Sequence, residues 1–210
     1  MTEVYLLKLF EPSRDVYEKM LDLVSEEKRE KIANIKSREN QLQTLLAEVL
    51  LRVILCTRFG FENTNITFER DSNGKPYLTN KEVHFNISHS KDLVAVVVSR
   101  QNIGVDLEKI RNVNVKLIER YFTEKEKEYI NINKINWQTR FFEVWTKKEA
   151  LLKMLGLGLR VKLDELETGE FAAVKTFNLD EFVMSVCCED QDINIINNEQ
   201  CHSNLCEFFK

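Results

Sequence analysis

The sequence predicts an α+β chain of two similar halves, and three observations predict it. A long apolar stretch at helical spacing begins near residue 38 and another near residue 138, each followed by a glycine and then by two or three strand-like runs. The strands have distinct chemistries. Residues 93–99, Leu-Val-Ala-Val-Val-Val-Ser, read as a buried strand, whereas Ile103-Gly104-Val105-Asp106-Leu107-Glu108 alternates apolar with acidic. Finally, 210 residues suffice for one large domain or two small ones, and no Pro- or Ser-rich linker separates the halves. The expected division is 1–100 and 101–210, with the functional site between them. Helix-then-strands is a common order, so the repeat by itself is a weak signal.

The elements follow in order. Residues 4–10 form an opening strand stopped by Pro12, and 14–24 a helix. Ser25 caps a helical turn, Glu26-Glu27-Lys28-Arg29-Glu30-Lys31, whose basic residues read first as a solvated face. Ser37 caps a helix with Leu42, Leu45, Leu46, Val49, Leu50, Val53 and Ile54 on one wide stripe, ending near Gly60. Residues 66–70 are a strand and Asp71-Ser72-Asn73-Gly74 a turn. The runs 84–90, 93–99 and 103–108 follow so closely that three adjacent antiparallel strands are expected. Residues 112–122 are partly helical, and Thr123 with Glu126 is a capping-box pattern. A long helix spans 137–155 with Gly156 just beyond it. Residues 173–179 and 182–188 read as a final hairpin, and the tail 189–210 is weakly patterned.

Composition excludes several function classes. The net charge of −4 argues against a general nucleic-acid binder. Residues 1–5 lack a basic region leading into a long apolar core, and no apolar run approaches the ~20 residues that span a bilayer. Cys56, Cys187, Cys188, Cys201 and Cys206 show no metal-ligand spacing and read as reduced thiols. A cytoplasmic protein that binds neither membrane nor nucleic acid is expected.

The chemistry concentrates in 103–153. Asp106 and Glu108 lie on one face of a strand; Trp145, Glu149 and Lys153 lie on one side of a helix. If strand and helix meet, three carboxylates converge with a lysine one turn beyond. Such a cluster repels itself unless a cation sits among its oxygens, and oxygen-only ligands favour a hard ion such as Mg²⁺. The plainer alternative is a solvated strand face beside a helix-surface Glu–Lys pair, and these residues alone favour it.

Other motifs reverse that preference. Gly104-Val105-Asp106-Leu107-Glu108 followed by Trp145-Thr146-Lys147-Lys148-Glu149-Ala150-Leu151-Leu152-Lys153 resembles the signature of the 4′-phosphopantetheinyl transferases. Gly74-Lys75-Pro76, Asn86-Ile87-Ser88-His89-Ser90 and the segment after Ser25 resemble further motifs of its double-length Sfp type. The likeness runs from about residue 4 to 188, in order. It implies a two-lobed α+β pseudodimer, working as a monomer, with coenzyme A in the cleft between lobes. It implies transfer of the phosphopantetheine arm of coenzyme A to a serine of an apo peptidyl or acyl carrier protein, releasing adenosine 3′,5′-bisphosphate. By the same resemblance, Asp106, Glu108 and Glu149 hold Mg²⁺, for which Mn²⁺ can substitute. Glu149 also accepts the serine proton, and Lys153 stabilises the pyrophosphate. Ser88 and His89 contact phosphates, Gly74, Lys75 and Pro76 line the adenine end, and Lys28 and Lys31 add charge near the 3′-phosphate. The segment 112–122 is either the carrier-docking surface or an amphipathic core helix. Two departures stand out: Gln43 occupies the place of a phosphate-binding arginine, for which Arg38 is the substitute considered, and Thr146 that of a smaller residue. The competing classes are a Mg²⁺-dependent nuclease or phosphodiesterase and a non-catalytic coenzyme A-binding protein.

Overall fold

The structure is a computed structural model and describes residues 2–80, 82–158, 161–168, 173–190 and 192–209. The first half opens with strand β1 (Thr2–Lys8), then helices α1 (Arg14–Leu23), α2 (Glu26–Ala33) and α3 (Arg38–Phe59). Ser25 and Ser37 cap α2 and α3 as expected, each hydroxyl accepting a backbone N–H three residues on. Gly60 ends α3 in the left-handed conformation, φ 72°. A small hairpin of β2 (Phe68–Arg70) and β3 (Pro76–Leu78) leads to β4 (His84–Ser90) and β5 (Leu93–Ser99).

The second half holds β6 (Gly104–Lys109), α4 (Lys116–Tyr121), α5 (Glu124–Asn131) and α6 (Trp137–Leu155), then the antiparallel hairpin of β7 (Val174–Leu179) and β8 (Phe182–Cys187). The Thr123–Glu126 capping box is present at the start of α5. The tail has an ordered role that its weak patterning did not suggest. Its strand β9 (Ile193–Ile196) pairs parallel with β1, and Cys201 and Leu205 of α7 (Asn198–Phe208) join the core of the first half. The described part of 101–210 therefore does not pack wholly within the second half.

Besides the β2-β3 hairpin, the described residues form two larger sheets, ordered β4-β5-β1-β9 and β6-β8-β7. Period-two alternation explains their stacking. Tyr5, Leu7, Val94, Val96 and Val98 face α3 on one side of the first sheet. From its other side Val4, Leu6, Ala95 and Val97 meet Val105, Leu107, Met184 and Val186 of the second. Ala150 and Leu151 of α6 close the far side over Cys187. The layers run helix, sheet, sheet, helix, and β5 is apolar from Leu93 to Val98 because both its faces are buried.

One expected pairing differs. Strand β4 pairs with β5, but β6 leaves them and pairs with β8. It still lies along β4, joined by side chains in place of a backbone ladder: Asn86 Oδ1, Ser88 Oγ and Ser90 Oγ accept the amides of Val105, Leu107 and Lys109 at 3.0, 3.1 and 3.1 Å. This seam between the sheets carries the chemistry. Among the described residues no helix is long and apolar enough to cross a membrane.

Candidate active site

Strand β6 reaches the site because of a glycine. A Cβ at Gly104 would stand 2.0 Å from the Ala150 carbonyl oxygen and 2.4 Å from the Met154 nitrogen, both backbone atoms of α6. Strand and helix touch backbone to backbone, which brings Asp106 towards Glu149 and Lys153. Lys153 Nζ lies 2.6 Å from Asp106 Oδ1 and 3.2 Å from Ser88 Oγ. Glu108 Oε2 accepts from Ser90 Oγ at 3.0 Å and from Arg111 Nη1 at 2.7 Å.

The three carboxylates lie within electrostatic reach of one another, and two of them are engaged in acid–base pairing. Among the described residues no group of three or more His, Cys, Asp or Glu side chains forms a ready metal cage. Lys153 balances Asp106, while Ser90 and Arg111 hold Glu108. Yet two buried carboxylate oxygens, Asp106 Oδ2 and Glu149 Oε1, have no hydrogen-bond partner. Burial raises the pKa of Asp106, opposed by Lys153; burial and then the Asp106 charge raise that of Glu149. Buried acceptors without donors are rare and costly, and a hard divalent cation is a partner of matching chemistry. The residues present fit such an ion through these two oxygens.

Helix α6 is held by contacts that the sequence motif did not explain. Thr146 is fully buried, and its hydroxyl meets Ser185 Oγ at 2.8 Å, which in turn meets Thr176 Oγ1 at 2.9 Å. The larger residue is accommodated because it completes a hydroxyl chain across two strands. Lys148, also fully buried, donates to the carbonyls of Leu163 and Leu166 at 2.6 and 2.5 Å and pairs with Glu126 at 2.7 Å. Trp145 stacks on Phe141 and meets Tyr121 edge-on, fastening α4 to the helix that bears Glu149.

Other predicted residues are distributed as follows. Lys75 and Pro76 line a cleft of about 390 Å³ between the halves, with Tyr77, His84, Phe85 and Met154 among its walls. Lys75 Nζ donates to the carbonyls of Met154 and Ile103 at 3.0 and 3.2 Å, so its charge lies at the carboxyl end of α6. Burial lowers its pKa, opposed by Asp71. Gly74 turns the β2–β3 hairpin at φ 89° and is not among the cleft's walls. His89 is exposed, yet desolvation of part of its ring, and then the Lys153 ammonium, lower its pKa. Lys28 pairs with Glu48 at 2.8 Å, and Lys31 is exposed at the end of α2. Gln43 is buried, donating to the Lys91 carbonyl at 2.5 Å in the β4–β5 turn. Arg38 pairs with Glu11 and lies over the Tyr17 ring, 4.6 Å from its centroid. Neither supplies an uncommitted guanidinium for a phosphate.

Segment 112–122 divides. Ile118 and Phe122 are buried, whereas Val115 is 61% exposed. Val115, Lys116, Ile118, Glu119, Lys134 and Trp137 border a groove of about 450 Å³, beside the exposed Ile132 and Ile135. Residues that sequence reasoning missed include Asn86, Ser90 and Arg111. Their signal was the period-two spacing of Asn86, Ser88 and Ser90, which places all three on one face of β4.

Comparison with known proteins gives the family. Residues 8–101 match the family profile described as 4′-phosphopantetheinyl transferase, N-terminal, and residues 102–208 match the 4′-phosphopantetheinyl transferase superfamily. The 4′-phosphopantetheinyl transferase gsp of Aneurinibacillus migulanus is 32% identical over 78% of this chain and 70% of its own length. The 4′-phosphopantetheinyl transferase Sfp of Bacillus subtilis (strain 168) is 28% identical over 90% and 94%. HetI of Nostoc, a 4′-phosphopantetheinyl transferase, is 36% identical over 56% and 53%.

Proposed function

The chain belongs to the 4′-phosphopantetheinyl transferase superfamily and is of the double-length Sfp type, and we propose that it transfers the phosphopantetheine arm of coenzyme A to a serine of an apo peptidyl or acyl carrier protein. The observation that carries this reading is the pair of partnerless buried oxygens, Asp106 Oδ2 and Glu149 Oε1, beside the Lys153 ammonium. The cleft lined by Lys75 and Pro76 takes the adenine end of coenzyme A. Mg²⁺, or Mn²⁺ in its place, held by Asp106, Glu108 and Glu149 would supply neutralisation of the pyrophosphate charge.

The remaining work belongs to the chain's own groups. The carrier serine oxygen bonds to the phosphorus that bears pantetheine. Its proton passes to the Glu149 carboxylate. The bond from that phosphorus to the bridging oxygen breaks, and the electron pair stays on adenosine 3′,5′-bisphosphate. Lys153 stands where it can offset that charge. His89 faces the 3′-phosphate, with Lys28 and Lys31 adding positive potential. Lys28 would exchange its Glu48 contact for this role, and Ser88 would reach a phosphate only by releasing a present partner.

The carrier docks at the Val115–Trp137 groove, which the Trp145 contacts tie to the catalytic helix. As part of the same reading, the lobes divide near residue 100, with β9 and α7 returning to the first. The enzyme acts as a cytoplasmic monomer on neither nucleic acid nor membrane. The test is the mass of apo-carrier proteins after incubation with the enzyme, coenzyme A and Mg²⁺. A gain of one phosphopantetheine supports the proposal; unchanged mass across peptidyl and acyl carriers refutes it.

A further inference from the structure

Two serines of β4 repeat one hydrogen-bonding unit. Ser88 Oγ accepts the Leu107 amide at 3.1 Å and lies 3.0 Å from Asp106 Oδ1. Ser90 Oγ accepts the Lys109 amide at 3.1 Å and lies 3.0 Å from Glu108 Oε2. An amide can only donate, so each hydroxyl meets it with a lone pair and keeps its proton for the carboxylate. In both units the serine grips one residue's carboxylate and the next residue's amide. The repeat arises because both strands have period two. Asn86 extends the row to the Val105 amide at 3.0 Å but meets no carboxylate there.

We propose that Ser90, acting with Ser88, is a positioning residue for the acidic strand. Each serine pins one oxygen of its carboxylate and does not bond the other. Asp106 shows the outcome: Oδ1 is held by Ser88 and Lys153, while Oδ2 is buried and partnerless. Glu108 has three rotatable bonds, and Ser90 and Arg111 restrict them through one shared oxygen, Oε2. Groups that orient ligand carboxylates in this way set metal affinity without touching the metal. Ser90 is the cleaner of the two to test, because Ser88 also contacts Lys153. The inference rests on the reading that these carboxylates hold a divalent cation.

The experiment titrates Mn²⁺ into the full chain and reads free Mn²⁺ by electron paramagnetic resonance, with a thermal melt of each variant. Ser90→Ala is expected to weaken Mn²⁺ binding on the order of tenfold. Ser90→Thr, which keeps the hydroxyl, restores most of that loss. Asn86→Ala removes a rung of the same row, so it lowers the melting temperature but leaves Mn²⁺ affinity at the wild-type value. Wild-type affinity in Ser90→Ala overturns the inference, as does an equal loss in Asn86→Ala, which would mark the row as structural only. Absence of saturable binding in the wild-type chain would bring down the metal reading first, and the inference with it.

Discussion

Replacing Gly104 by alanine tests the contact on which the site's geometry depends. The added Cβ would lie 2.0 Å from the Ala150 carbonyl oxygen and 2.4 Å from the Met154 nitrogen. Both are backbone atoms in the last two turns of α6, so no side-chain rotation relieves the clash. Strand and helix must separate by about 1 Å to restore even a tight contact, and overpacking of this kind costs about 3 kcal/mol. For a chain of 210 residues that lowers the melting temperature by about 6–12 °C. The same displacement carries Asp106, two residues along, away from Glu149 and Lys153. A misplacement near 1 Å is expected to lower kcat/KM roughly a hundredfold. A thermal melt followed by steady-state transfer assays well below the melting point separates the two effects. A variant that melts within about 2 °C of wild type and transfers at the wild-type rate would refute the backbone-to-backbone packing of β6 on α6.

Three further outcomes are expected. Lys148→Met leaves Glu126 without its cation and two carbonyls without their donor, and should cost about 3–5 kcal/mol by chemical denaturation. His89→Ala should weaken coenzyme A binding more than binding of its 3′-dephospho analogue, measured by calorimetry; equal losses would remove the 3′-phosphate role. Burial lowers the pKa of both His84 and His89, so the folded chain binds fewer protons than the unfolded one just below pH 6.5. The histidine contribution to stability is therefore present above that pH and is lost as pH falls through the folded values. His84→Gln/His89→Gln should flatten this part of the stability–pH curve, and an unchanged slope would contradict the assignment.

Much of the fold was legible because it depends on local periodicity. The caps at Ser25, Ser37 and Thr123 and the full extent of α6 follow from side chains within a few residues of one another. The partner of β6 was not legible. Short connections favour neighbouring strands, but here Asn86, Ser88 and Ser90 take the amides that a backbone ladder would use, freeing β6 to pair with β8. The return of the tail was hidden for a similar reason: β9 is a four-residue edge strand whose partner lies nearly two hundred residues away. At the site, periodicity puts Asp106 and Glu108 on one strand face and Glu149 and Lys153 on one helix side, and the structure brings Lys153 to Asp106. Periodicity does not say how charges pair, and so Lys153 on Asp106 and Arg111 on Glu108 emerged only in three dimensions. Lys75 shows the same limit, since its carbonyl partners include the carboxyl end of a helix in the other half.

On the proposed mechanism Asp106 and Glu149 act as one acidic pair at the seam, and phosphopantetheine transfer needs both. The direct measurement is single-turnover transfer to an apo-carrier protein, read by intact mass, for wild type, Asp106→Ala and Glu149→Gln, each first shown to be folded by circular dichroism. The full mass gain is expected with wild type and none with either variant; modification at the wild-type rate by a folded variant would contradict the role given to the pair.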